Sequence, residues 1–419
     1  MRAVEGHPPA AEKEGPLRER MRLNIRLFYA YVFLNRLDMW IPTVVLFLMD
    51  RGLSLTQYAI VDAVWYVSAV VFEIPTGIFT DHCGKKASLL VGALTLALAL
   101  FLLAFGPSFL SILAAYVLWG FASSFETGTS DALVYDSLKQ LGQEEEYRKV
   151  RARITTLTVL AGALGSLLAG YLASVRLSLP IFATATIALL ACPLVLLLCE
   201  PPTGDMRERT PLRHLRESVR YVLGHRSVAM LLLYSCIMGT AVWGLYIFYQ
   251  PLLKSFAIPV ERTGLLYLFF RLSCALGAQL SDLLYRRVGR PLVYLMPAGL
   301  MACVLGMGFL VTPWVVTLVF PIFFIEGLYS PILNDLINQL LPSGKRATII
   351  SMGSVLACLM GTVLYPVLGR IADSFSLQAS FRALGLGLVV CMVLILAFLR
   401  RTLPDAATRR SHRHDPNDA

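Results

Sequence analysis

The sequence predicts an all-α membrane protein with 12 transmembrane helices arranged as two six-helix bundles. Three observations carry that expectation. Hydrophobic residues make up 57% of the 419 residues, charged ones only 15%, and the mean hydropathy is +0.66; a soluble domain carries about 25% charged residues. Apolar runs of spanning length, which takes roughly 20 residues, recur along the chain. A polar stretch opening at Pro201-Pro202 divides them six and six.

The elements follow in order. Residues 1–22 mix Glu, Lys, Arg and Pro without an apolar core, which reads as a cytoplasmic tail rather than a signal peptide. The N-terminal bundle, 23–200, contains runs near 24–49, 57–79, 88–106, 109–137, 154–175 and 179–199. Residues 201–226 read as a cytoplasmic linker with a short amphipathic helix, Leu212, Leu215, Val219, Val222 and Leu223 sharing one side. The C-terminal bundle, 227–400, contains runs near 227–250, 261–284, 292–311, 314–340, 349–372 and 380–399. The fourth and tenth runs are long enough to predict protrusion or tilt. Residues 401–419 form a second cytoplasmic tail, whose His412 and His414 read as solvated rather than metal-binding.

Charge placement sets the orientation. Of 37 Lys and Arg, only Arg51, Arg176, Lys254, Arg262, Arg370 and Arg382 fall on outer segments if both termini are inside. Arg36 and Arg271 fall within spans, and all the others are cytoplasmic, as the positive-inside rule requires. The net charge of +10 is therefore a topology signal, not a nucleic-acid surface. The eight cysteines form no CxxC pair and read as small packing residues. No HExxH, GxSxG, Walker loop or dinucleotide fingerprint is present, which argues against an enzyme and predicts no cofactor, no metal and no catalytic residue.

A charge at the bilayer centre costs on the order of 3 kcal/mol, so ionisable residues inside spans are functional candidates. Arg36 and Asp38 lie near the middle of the first run, beside Asn35. Asp62 and Glu73 lie on the second, Glu126 and Asp131 in the inner half of the fourth, Arg271 on the eighth and Glu326 on the tenth. On one continuous helix, positions 36 and 38 stand about 200° apart and cannot both face a cavity. Two readings stay open. The charges neutralise one another, Arg36 with Glu126 or Asp131 and Arg271 with Glu326, or they handle substrate and protons directly. Asp38 and Glu126 are the expected proton carriers.

The second run ends in Gly77-Ile-Phe-Thr-Asp81-His-Cys-Gly84-Lys85-Lys86. Gly77 is expected to permit a close helix approach, and Asp81 to accept hydrogen bonds at a helix N-terminus across the interface, where the macrodipole favours an anion. Gly84 is expected to support the turn, with Lys85 and Lys86 at headgroup level. Asp136 is placed to pair with Lys85 or Lys86; the alternative is that both lysines only anchor the topology. Gly128 to Leu141 aligns without gaps on Gly327 to Leu340, the Gly, Asp136/Asp335, Gln140/Gln339 and Leu coinciding. A stretched copy of the loop recurs as Gly277-Ala-Gln-Leu-Ser-Asp282 running to Arg286, Arg287, Gly289 and Arg290.

This loop resembles the signature loop of the major facilitator superfamily of secondary transporters, and the resemblance covers residues 20–400. It implies two bundles related by an axis along the membrane normal, with a substrate site near the midplane. It also implies a cavity lined by helices 1, 4, 7 and 10, and a loop that latches the cytoplasmic side. Within the superfamily the chain is most similar to bacterial twelve-helix drug or small-molecule efflux proteins. That likeness implies a monomeric, proton-coupled antiporter of a drug-like or natural-product compound in the cell membrane, with no nucleic-acid partner. Two positions depart from the antiporter pattern. Tyr116 stands where those proteins carry arginine, and Gly162-Ala-Leu-Gly165-Ser-Leu-Leu-Ala-Gly170 lacks their Gly-Pro pair. Uptake of a small metabolite therefore remains an alternative, as does a transport-dead receptor or scaffold.

Overall fold

The computed structural model describes residues 10–126, 128–202, 220–342 and 346–402. Most of the linker and of the C-terminal tail, and residues 1–9, lie outside that range; of the amphipathic linker face only Val222 and Leu223 are described, both helical. Among the described residues, 11 helices are long and apolar enough to cross a membrane. They expose large side chains such as Ile74, Leu190, Val363 and Leu394, each more than 60% accessible. Outward-facing leucines, isoleucines and valines at that density fit a lipid solvent rather than water.

The first of the twelve expected spans is interrupted. α1 (Ala10–Asn35) begins inside the stretch read as a polar tail, and it ends at Asn35. Residues 36–43 leave the helix, and α2 (Val44–Asp50) resumes it. Pro42 lacks a donor N–H and disfavours the helical conformation for the residue before it. The 200° separation of Arg36 and Asp38 consequently does not apply, because neither lies on a continuous helix.

α3 (Leu55–Cys83) and α4 (Lys85–Phe105) follow the predicted runs. The long fourth run does not: it divides into α5 (Phe109–Glu126) and α6 (Thr129–Gln140). Gly128 between them has φ +76°, a left-handed conformation that a side chain resists. α7 (Tyr147–Val175), α8 (Leu179–Leu197), α9 (Arg226–Ser255), α10 (Val260–Val288), α11 (Pro291–Phe309), α12 (Val319–Leu340), α13 (Arg346–Ser374) and α14 (Leu377–Thr402) complete the chain.

Two compact units emerge. The first runs to Ile41 and resumes at Val64, so it contains α1, most of α3, and α4 to α8. Its core joins Phe28 and Tyr31 of α1 to Leu89 and Ala93 of α4, Leu133 and Leu138 of α6, Ile154 of α7 and Val195 of α8. Small residues set its closest approaches. A Cβ on Gly120 would lie 2.6 Å from the Ser68 side chain, and one on Gly165 3.1 Å from the Leu37 backbone. α7 therefore packs directly on the interrupted segment.

The second unit takes Pro42–Ala63, meaning α2 and the start of α3, together with α9 to α14. Polar groups of its helices satisfy the backbone of this segment. Gln250 Oε1 accepts from the N–H of Val45 at 2.9 Å and of Leu46 at 3.3 Å, and Tyr249 donates its hydroxyl to the Pro42 carbonyl. The Asp373 carboxylate accepts from the N–H groups of Leu55 and Thr56, at 3.0 and 2.8 Å, and from the Thr56 hydroxyl. An anion there caps the start of α3 and meets the positive end of its dipole. Asp373→Ala is expected to cost about 1 kcal/mol, the usual loss for such a cap, seen as a lower melting temperature in detergent.

Candidate functional site

In the first unit, α1 and the interrupted segment, α3, α4 and α5 surround a cavity of about 160 Å³. Asn35, Arg36, Asp38, Trp65, Gly92, Trp119, Ser123 and Glu126 line it. Glycine and alanine on α4 leave the room. Arg36 Nη2 donates to Glu126 Oε1 at 2.7 Å, which selects Glu126 over Asp131 as the arginine's partner. Asp38 lines the same cavity, and no hydrogen bond or ion pair joins its carboxylate to another described side chain. Asn35 is buried and its Oδ1 has no hydrogen-bond partner among the described residues. Trp65 and Trp119 stack with ring centres 4.4 Å apart, and Trp40 meets Trp119 edge-on at 4.7 Å.

Asp131 departs from expectation. The break at Gly128 carries it onto α6, where its Oδ1 accepts from Arg151 Nη1 at 2.7 Å with both side chains nearly half exposed. It therefore lies away from the cavity. Arg271 and Glu326 belong to the second unit, where a tyrosine stands between them. Arg271 Nη1 donates to the Tyr246 hydroxyl at 2.9 Å, and that hydroxyl donates to Glu326 Oε2 at 3.2 Å. In the same unit Trp243 Nε1 donates to the buried carboxylate of Asp62 at 3.1 Å. No local pattern marks this partner for Asp62, since 181 residues separate it from Trp243.

The loop after α3 shows one expected contact and adds an unexpected one. Lys85 Nζ meets Asp136 Oδ2 at 3.0 Å, as anticipated. A Cβ on Gly77 would meet nothing within 4 Å among the described residues. Asp81 is exposed at the end of α3, and the carboxylate at the adjacent helix N-terminus belongs to Glu200. Glu200 accepts from the N–H groups of Lys85 and Lys86, both at 2.8 Å, which answers orphan donors at the start of α4. Gly84, at φ +89°, turns the chain, and a Cβ on it would lie 2.9 Å from the Glu200 carboxylate. The one hint in the sequence was an acid closing the sixth apolar run. Glu200→Ala is expected to cost about 1 kcal/mol through the lost cap, read as a drop in melting temperature that Glu200→Asp partly restores.

The sequence profile described as the Major Facilitator Superfamily matches residues 28–364. The chain belongs to this superfamily. Among relatives of the superfamily, an uncharacterized MFS-type transporter, YxaM of Bacillus subtilis (strain 168), is 21% identical over 380 residues, covering 88% of this chain and 94% of the relative. Among solved structures, the nucleoside transporter NupG superimposes with a TM-score of 0.76 at 14% identity, covering 91% of this chain and 98% of that one. A bacterial homologue of the human lysosomal transporter Spinster gives a TM-score of 0.67 at 16% identity, covering 92% and 96%. At these identities the likeness establishes the fold: an all-α, multi-pass membrane protein of the MFS class. As an MFS chain it is a transporter.

Proposed function

We propose that this MFS transporter exports a small organic molecule, drug-like or a natural product, across the cell membrane in exchange for protons. Both termini are cytoplasmic in this reading, and the monomer is the working unit. The observation that carries it is the Arg36–Glu126 pair with Asp38 in one aromatic-walled cavity. Two carboxylates face one arginine: with Arg36 on Glu126, Asp38 is free for the substrate, and a proton on Glu126 frees Arg36 to turn to Asp38 and displace the substrate. Competition of proton and substrate for one arginine is the chemistry of an antiporter, and an inward proton gradient then drives the substrate outward. Lys85–Asp136 and the turn at Gly84 are proposed as the cytoplasmic gating element.

The test uses proteoliposomes that enclose a pH-sensitive dye and are challenged with a panel of compounds. Protons moving opposite to the compound support export. Protons moving with it support uptake of a small metabolite. No compound-linked proton movement would leave a receptor on this fold as the better reading. Orientation is tested separately. With the other cysteines removed, the exposed native Cys83 should be labelled only from the cytoplasm, and Ser255→Cys only from outside. Reversed labelling would overturn the topology.

A further inference from the structure

Three features of the first-unit cavity select the charge of its ligand. Its ionisable lining has one cation, Arg36, and two carboxylates, Asp38 and Glu126. The arginine is spent on Glu126 at 2.7 Å, so Asp38 leaves a net negative charge. α1 ends at Asn35 on the cavity wall, and the C-terminal end of a helix is the negative end of its dipole. Asn35, only 7% exposed, presents an Oδ1 with no donor among the described residues. Each of the three attracts a positively charged hydrogen-bond donor, and an anion would meet all three as repulsion.

Size and wall chemistry select the rest of the ligand. A cavity of about 160 Å³ is close to the ~150 Å³ apolar cavity that holds one benzene ring. The indoles of Trp65 and Trp119, stacked on each other, line the same cavity as the acid. Indole rings attract both aromatic rings and cations.

We infer that this cavity binds a monovalent organic ammonium carrying one aromatic ring, with the ammonium between Asp38 and Asn35 and the ring against Trp65 and Trp119. The inference rests on the substrate-site reading above. Glu126 is left to Arg36, so within the cavity Asp38 is the residue that decides ligand charge.

The test is binding without a gradient. Tryptophan fluorescence of the full chain in detergent is titrated with phenethylammonium, with neutral 2-phenylethanol and with anionic 3-phenylpropionate. The ammonium is expected to saturate at a concentration at least about tenfold lower than the alcohol, a difference of 1.4 kcal/mol, and the anion not to saturate. Asp38→Asn should erase that preference, the ratio of ammonium to alcohol saturation falling to about one, and Asp38→Glu should retain it. Equal saturation by ammonium and alcohol, tighter binding of the anion, no saturable ammonium signal, or a preference that survives Asp38→Asn would each overturn the inference. The transport reading fails differently. Ammonium binding without proton-linked flux sinks the antiporter and keeps the cation site. Proton-linked flux of a neutral or anionic compound, unaffected by Asp38→Asn, does the reverse.

Discussion

Glu126→Gln is expected to abolish gradient-driven transport, by about tenfold or more, while substrate exchange at equal pH continues. Glutamine keeps the length of the side chain and an oxygen that can accept from Arg36, which now holds Glu126 at 2.7 Å. What it removes is the charge and the protonation site. A coupling residue that can no longer change protonation state leaves the substrate free to equilibrate but unable to accumulate. If Glu126 only neutralises Arg36, the outcome differs. Glutamine would then weaken the fold, and melting temperature and exchange would fall together. The double variant Arg36→Gln/Glu126→Gln separates the cases. It removes both charges and so relieves any unpaired arginine, yet it leaves coupling absent.

Gly327→Val is expected to produce the largest loss of folded protein. α10 and α12 approach so closely that a Cβ on Gly327 would collide with the Cys274 carbonyl oxygen, and one on Gly277 with the Phe324 carbonyl oxygen. Both obstacles are backbone, so no rotamer change relieves them, and the helices must separate along their contact. Overpacking of this kind costs about 3 kcal/mol. Size-exclusion chromatography should show loss of the monodisperse peak for Gly327→Val and for Gly277→Val. Gly77→Ala is the control, since its Cβ would enter open space. A monodisperse Gly327→Val protein of normal melting temperature would refute the close contact.

The fold class was legible because lipid imposes its composition on every span, and length and hydropathy report that composition directly. The interruptions were not. Pro75, Pro193, Pro251, Pro297, Pro331 and Pro366 all sit inside continuous helices, so proline alone does not mark the break at Pro42. Neighbouring helices in a membrane protein re-satisfy freed backbone groups, which makes proline a poor boundary signal there. The Arg36–Glu126 pair was within reach, because opposite charges inside spans must find partners. Choosing Glu126 over Asp131 was not, because the turn at Gly128 sends Asp131 to Arg151. Equal spacing also misled. Gly128 and Gly327 align, yet one permits a left-handed turn and the other a helix contact. Glu200 and Asp373 cap helices more than 100 residues away in sequence, which no local pattern encodes.

The interrupted first span also bears on how the protein is made. Arg36 leaves the ribosome 90 residues before Glu126, its partner. At synthesis rates of 5–20 residues per second that interval is roughly 5–18 s. Throughout it, Arg36 lacks the carboxylate that it pairs with in the folded protein, and a charge in a span costs on the order of 3 kcal/mol at mid-depth. Full insertion of this segment is therefore expected to follow the emergence of the helix ending at Glu126, and slowed translation between codons 36 and 126 to delay it.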